Sequence, residues 1–286
     1  MLQPVDTRVP GAVEGEVHAI HRRLYPHGEP AFVSLAFDWA KQCFTGRYAD
    51  YQGVDALYHD FEHTLQGTLC LARLLQGRQE AGANPELPVP MFELGILAIL
   101  FHDVGYLKKR DDTEGTGAKY TSIHVARSAV FARDFLVAKG YAEPDLIAVQ
   151  NMIKCTGLNV DLTAIRFQTE LERIVGFALG TADLLGQMAA DDYVDKLPIL
   201  YLEFVEAAQA GGDQAEQFAL YTSAEVLMKK TPDFWEGYVL PRLRHEFRGL
   251  YRFLNAPYPD GPNAYVQRVE ANIARLKQKL AAGSPA

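Results

Sequence analysis

The chain has 286 residues, 48% hydrophobic and 22% charged, enough apolar material for a sizeable core in one large domain. Its formal net charge of -8 argues against a nucleic-acid scaffold, because tracking a phosphate backbone needs a basic face. The three cysteines Cys43, Cys70 and Cys155 are widely separated, which argues against both a disulfide framework and a zinc-thiolate cluster.

The opening segment MLQPVDTRVPGAVEGE lacks a basic region followed by an apolar one, so the expectation is a cytoplasmic protein without a signal peptide. A helical lead-in is expected over residues 1–50. Within it PAFVSLAFDWAKQCFTG runs from Pro30 to Gly46, the expected start and stop residues of a helix. VDALYHDFEHTLQGTLCLARLLQG predicts a long amphipathic helix, with Leu57, Phe61, Leu65 and Leu69 at spacing four. His59 and His63 lie four apart on it and would share a face. After the proline-rich loop ANPELPVP, MFELGILAILFHD predicts a helix buried on most sides. Its apolar run, Leu94 to Phe101, falls short of the roughly 20 residues that span a bilayer, so no membrane partner is expected.

VGYLKKRDDTEGTGAKYTS is polar and glycine-rich and reads as a long loop, a kind that is often functional. IHVARSAVFARDFLVAKG and DLIAVQNMIKCTG are helical and end in glycine. TELERIVGFALGTADLLGQM is helical despite its internal glycines. DDYVDKLPILYLEFVEAAQAGG carries Pro198, which marks a kink or a start. Three further helical stretches complete the chain. Their aromatics (Phe234, Trp235, Tyr238, Phe247 and Tyr251) recur at helical spacing and are expected in the core. No run alternates long enough to be a strand. The sequence therefore predicts a single all-α domain: the lead-in, a core over 51–210, and C-terminal helices over 211–286 packed upon it.

Three places in this pattern carry polar groups that an apolar surrounding makes costly. His102 and Asp103 end the most apolar helix. Adjacent helical residues point about 100° apart, so they grip one ion only at a helix end, where Gly105 follows. Asp183 stands between Ala182 and Leu184 on an apolar segment and needs a hydrogen bond or a cation. With His63, these form a mixed imidazole and carboxylate set suited to Mn²⁺, Fe²⁺, Zn²⁺, Co²⁺ or Mg²⁺. A carboxylate can also bridge two ions. His18, His21, His27 and His245 have no partner at ligand spacing and read as surface.

The order H…HD…D in a helical chain resembles the HD-domain metal-dependent phosphohydrolases over about residues 50–210. The resemblance implies His63, His102, Asp103 and Asp183 as metal ligands, with one or two divalent ions. Tyr58-His59 ahead of His63 is similar to the YHxxxH text of the cyclic-nucleotide phosphodiesterases, and MIKCTG and TADLLGQ resemble later helices of that catalytic domain. This likeness implies His59 as a general acid toward the leaving oxygen, and a cyclic or small nucleotide as substrate. It also implies His124 as a ligand of a second ion. A basic residue reaching phosphate is the pattern of the wider superfamily, and Lys108, Lys109 and Arg110, slightly beyond its usual place, are the candidates it implies for binding the anionic substrate. Where another histidine is expected, Lys154, Cys155 and Thr156 stand. The alternatives are an HD-fold diiron oxygenase and a catalytically silent nucleotide binder.

Overall fold

A computed structural model describes residues 4–212 and 215–283. Among these residues eleven α-helices form the fold: α1 (Pro10–Leu24), α2 (Phe32–Phe44), α3 (Phe61–Glu80), α4 (Val89–Phe101), α5 (His124–Ala138), α6 (Glu143–Lys154), α7 (Glu170–Met188), α8 (Tyr193–Ala210), α9 (Ala215–Ala219), α10 (Ala224–Phe234) and α11 (Ala264–Gly283). Short 3₁₀ and π-helical turns join them, and among the described residues only isolated β-bridges occur. One continuous core runs from Val13 and Val17 of α1 through to Leu276 of α11. The lead-in helices belong to that core: α1 packs on α3, and α2 on α4.

The centre of the molecule is the α3–α7 pair, flanked by α4 and α6. Close approach of α3 and α7 depends on small residues. A Cβ at Gly186 would lie 2.7 Å from the Gln66 carbonyl oxygen, so only glycine lets the two backbones touch. Beyond Glu93, helix α4 is apolar on every side and buried to match, from Leu94 to Phe101. The 18 residues Val89–Tyr106 have the length and composition to cross a membrane, but 78% of them are buried inside the fold.

Helix α3 starts later than its hydrophobic spacing suggested. The Asp60 side chain accepts the His63 amide at 2.8 Å and caps the helix, so Phe61 is its first residue. Leu57 and His59 therefore precede the helix, and Leu57 is 63% exposed rather than part of the apolar stripe. His21 also departs from expectation. It is fully buried among Tyr25, Phe32 and Phe92, with Nε2 3.1 Å from Glu93. The C-terminal aromatics split: Trp235 and Phe247 are core, whereas Phe234, Tyr238 and Tyr251 lie half-buried against it.

The polar stretch after α4 is organised rather than loose. It holds a 3₁₀ turn at Val104–Tyr106 and another at Gly117–Tyr120. Gly105 has an ordinary backbone conformation and is needed for space instead. Its Cβ would fall 2.0 Å from the His124 carbonyl oxygen, while its amide donates to Ser128 Oγ at 2.8 Å. The start of α5 is thus pressed onto the His102-Asp103 turn. Gly105→Ala is expected to cost about 2–3 kcal/mol, because a backbone oxygen cannot move aside as a side chain does. Urea denaturation measures this, and an unchanged midpoint would contradict the packing argument.

Candidate metal centre

Four elements deliver the site. His63 comes from the first turn of α3, His102 and Asp103 from the end of α4, Asp183 from the buried face of α7, and His124 from the first residue of α5. His102 is still helical, but Asp103 leaves the helix at φ -111° and ψ 5°. That break swings the carboxylate back beside the imidazole.

The four expected ligands converge. His63 Nε2 lies 3.1 Å from Asp103 Oδ2 and 3.4 Å from Asp183 Oδ1. His102 Nε2 lies 3.2 and 3.4 Å from the same two oxygens. Residue exposures are 4% for His63, 1% for His102, 1% for Asp103 and 8% for Asp183, so water does little to satisfy them. His102 Nε2 and Asp103 Oδ2 are both buried without a hydrogen-bond partner. Such atoms are costly unless something else fills the space between them. A six-coordinate ion with bonds of about 2.1 Å sets neighbouring ligand atoms roughly 3 Å apart, close to the separations seen. The cluster is a buried, metal-capable His/Asp site.

The imidazoles are oriented for it. His102 Nδ1 donates to the Ile99 carbonyl at 2.7 Å, and His124 Nδ1 to the Thr121 carbonyl at 2.6 Å. A carbonyl only accepts, so each Nδ1 carries the proton and Nε2 is the lone-pair nitrogen in the neutral ring. Both Nε2 atoms face the carboxylates. For His63, burial opposes protonation, but Asp103 and Asp183 outweigh it and raise the ring to about 9. Burial would raise Asp103, yet the His102 and His63 rings hold it well below the usual carboxylate range. Without a cation, protons neutralise the cluster; a divalent ion would replace them.

Asp103 faces two ways. Its Oδ1 is 3.7 Å from His124 Nε2, and His59, His63 and Asp103 make a second metal-capable group beside the first. Burial lowers His124 and favours its neutral, ligating form. The site therefore has donors for one ion and a shared carboxylate for another.

His59 lies outside any helix, but its ring is 5.2 Å from that of His63 and stacks on Tyr106 at 4.5 Å. Its Nδ1 is 2.6 Å from Glu203 Oε2, and Glu203 Oε1 accepts the Tyr58 amide at 2.7 Å. Burial would raise Glu203, but His59 and the neighbouring amides bring it below its ordinary value. Gln187 closes the other side, taking the Tyr58 hydroxyl at 2.8 Å and donating to the Asp183 carbonyl at 3.1 Å. Sequence reading missed Glu203, Tyr106 and Gln187. Glu203 had one signal, a carboxylate between Leu202 and Phe204, but its partner is 144 residues away.

The basic residues after the turn point elsewhere. Lys108 is buried, bound to Asp55 at 2.8 Å and to the Gly115 carbonyl at 2.6 Å, so its ammonium is not a free phosphate ligand. Lys109 is exposed over the Tyr51 ring, and Arg110 donates to the Gly46 carbonyl at 3.0 Å. All three tie the turn to residues 46–55. Cys155 is buried, its thiol is pushed up by that burial, and it donates to the Asn151 carbonyl. It supplies no thiolate in place of the absent histidine.

The family comparison fits a fold of this extent, since residues 12–256 match one family. The chain belongs to the Npun_R2479-like family. No curated protein matches it. Membership of the Npun_R2479-like family names no reaction, so the chemistry rests on the side chains themselves.

Proposed function

We propose that the chain is a metal-dependent hydrolase of small phosphoesters, with a cyclic or other small nucleotide as the substrate class. The observation that carries this reading is the convergence of His63, His102, Asp103 and Asp183 beside a hydrogen-bonded His59–Glu203 pair. The HD-domain resemblance of the same residues agrees with it. A divalent cation, when bound, would supply positive charge for a phosphoryl group and acidify water. Asp103 and Asp183 give the negative charge that retains the cation, and His63 and His102 give neutral nitrogen donors. Glu203 fixes the His59 ring through Nδ1, which leaves Nε2 to hold a proton toward a departing oxygen. Substrate would enter where the cluster meets solvent, at His59, Asp183 and His124, whose side chains are 15%, 11% and 20% exposed.

The test is a hydrolysis screen of cyclic nucleotides, nucleoside phosphates and generic phosphoesters, with Mn²⁺, Mg²⁺, Fe²⁺, Zn²⁺ or Co²⁺ added. Turnover with at least one ion is expected. His59→Ala should slow it by about 10²- to 10⁴-fold and leave metal content intact. Metal loss in that variant would make His59 a ligand of the second group instead of a proton donor. Stoichiometric metal without turnover on any phosphoester would favour the silent binder, and iron with oxygen consumption would favour the oxygenase.

A further inference from the structure

A recess apart from the His/Asp cluster lies at the far end of α3. Phe253 packs its carbonyl where a Cβ of Gly77 would sit. His63 is about 14 residues earlier on that helix, ~21 Å along its axis. Here Arg244, Arg248, Gly249, Tyr251, Arg252, Phe253 and Tyr258 line a recess of about 410 Å³, within the size range of small-molecule sites.

The backbone explains why three arginines line it. The π-helical turn Arg242–Glu246 ends in two successive left-handed residues, Arg248 at φ 55° and Gly249 at φ 70°. The second suits glycine, but the first is uncommon for a side chain that is neither Gly, Asn nor Asp. This reversal leads straight into the 3₁₀ turn Leu250–Leu254 and gathers Arg244, Arg248 and Arg252 around Gly249. Among the described residues, no carboxylate lies within 4.0 Å of Arg244 or Arg252. Arg248 does have one, Glu170 at 2.7 Å, but Glu170 is shared with Arg173. In a chain of net charge -8, an under-neutralised arginine cluster on one recess marks a place for an anion.

Aromatic rings complete the recess. Phe253 and Tyr258 stack at 4.9 Å with planes 16° apart, and Tyr258 is 46% exposed, so the outward side of the stack is open. Arginines for phosphate beside an open aromatic face match a ligand with both groups. We infer that this recess binds a nucleoside polyphosphate, its phosphates on Arg244, Arg248 and Arg252 and its base against Tyr258. The site is separate from the His/Asp cluster and does not depend on what that cluster catalyses.

The experiment is equilibrium binding of a fluorescent adenosine triphosphate analogue to the full chain, in chelator at low salt. Chelation removes any contribution of the metal centre, so failure here is distinct from failure of the phosphoesterase reading. Saturable binding is expected, weakened about tenfold by Arg244→Ala and by Arg252→Ala, both exposed positions with little effect on folding expected. Tyr258→Ala should weaken the nucleotide and leave inorganic tripolyphosphate unchanged. Absence of saturable binding, or binding indifferent to both arginine variants, overturns the site. Equal affinity for tripolyphosphate and nucleotide overturns the assignment of a nucleoside.

Discussion

Asp103→Asn is expected to abolish metal binding and, with it, all metal-dependent turnover. The substitution keeps the shape and removes the charge from the one carboxylate among the described residues that faces His63, His102 and His124 together. Losing even a group that merely orients a ligand typically costs 10- to 100-fold in affinity, so a shared anionic ligand should cost more. The metal content of the purified variant, by plasma emission spectrometry, should fall below about one-tenth of the parent's. Stoichiometric metal in Asp103→Asn would remove the basis for the proposed chemistry.

The same site fixes a pH dependence. In the metal-free protein the folded state raises His63 from 6.5 to about 9. A raised basic group stabilises the fold fully below its unfolded value, and that contribution fades as pH climbs through the folded one. The window is therefore pH 6.5 to about 9. A cation must displace that proton, so its affinity falls below pH 9, by about tenfold per unit for each proton displaced. The rise in melting temperature on adding Mn²⁺ should grow from pH 6.5 toward 9 in the parent chain and vanish at every pH in Asp103→Asn. A shift that shrinks with rising pH would contradict the exchange of protons for metal.

Glu203→Gln is the second large effect. Glu203 has no hydrogen bond to His63, His102, Asp103 or Asp183; it acts through His59 as a positioning residue. A glutamine keeps an oxygen for the Tyr58 amide but can turn its NH₂ toward His59 Nδ1, now 2.6 Å from a carboxylate oxygen. The ring would then carry its neutral-state proton on Nε2, and the imidazolium would lose its counter-charge. An analogous carboxylate-to-amide change in a serine protease costs about 10⁴-fold, so a fall of about 10²- to 10⁴-fold in kcat is expected with metal content unchanged. Glu203→Ala should also lower stability by about 1–3 kcal/mol, since the Tyr58 amide loses its acceptor. Full activity in Glu203→Gln would mean that His59 does not work through this pair.

The sequence by itself determined the class of fold and the identity of the cluster. Helical periodicity without strand alternation was sufficient for an all-α domain, because burying one stripe of a helix writes itself into every turn. His102-Asp103 and Asp183 were legible because ionisable groups inside apolar runs are expensive, and expense marks purpose or partnership. Local capping hid the start of α3, since one Asp60 side-chain bond outweighed the apolar spacing that reached back to Leu57. Only the tertiary structure decided the rest. Lys108 looks like a phosphate ligand until Asp55 is seen to neutralise it, and Glu203 looks like an ordinary helix residue until α8 sets it against His59. Gly105 and Gly186 matter through backbones from distant segments. Pairings of this kind depend on which helices meet and how closely, and that is fixed by packing across the whole chain rather than by any local stretch of it.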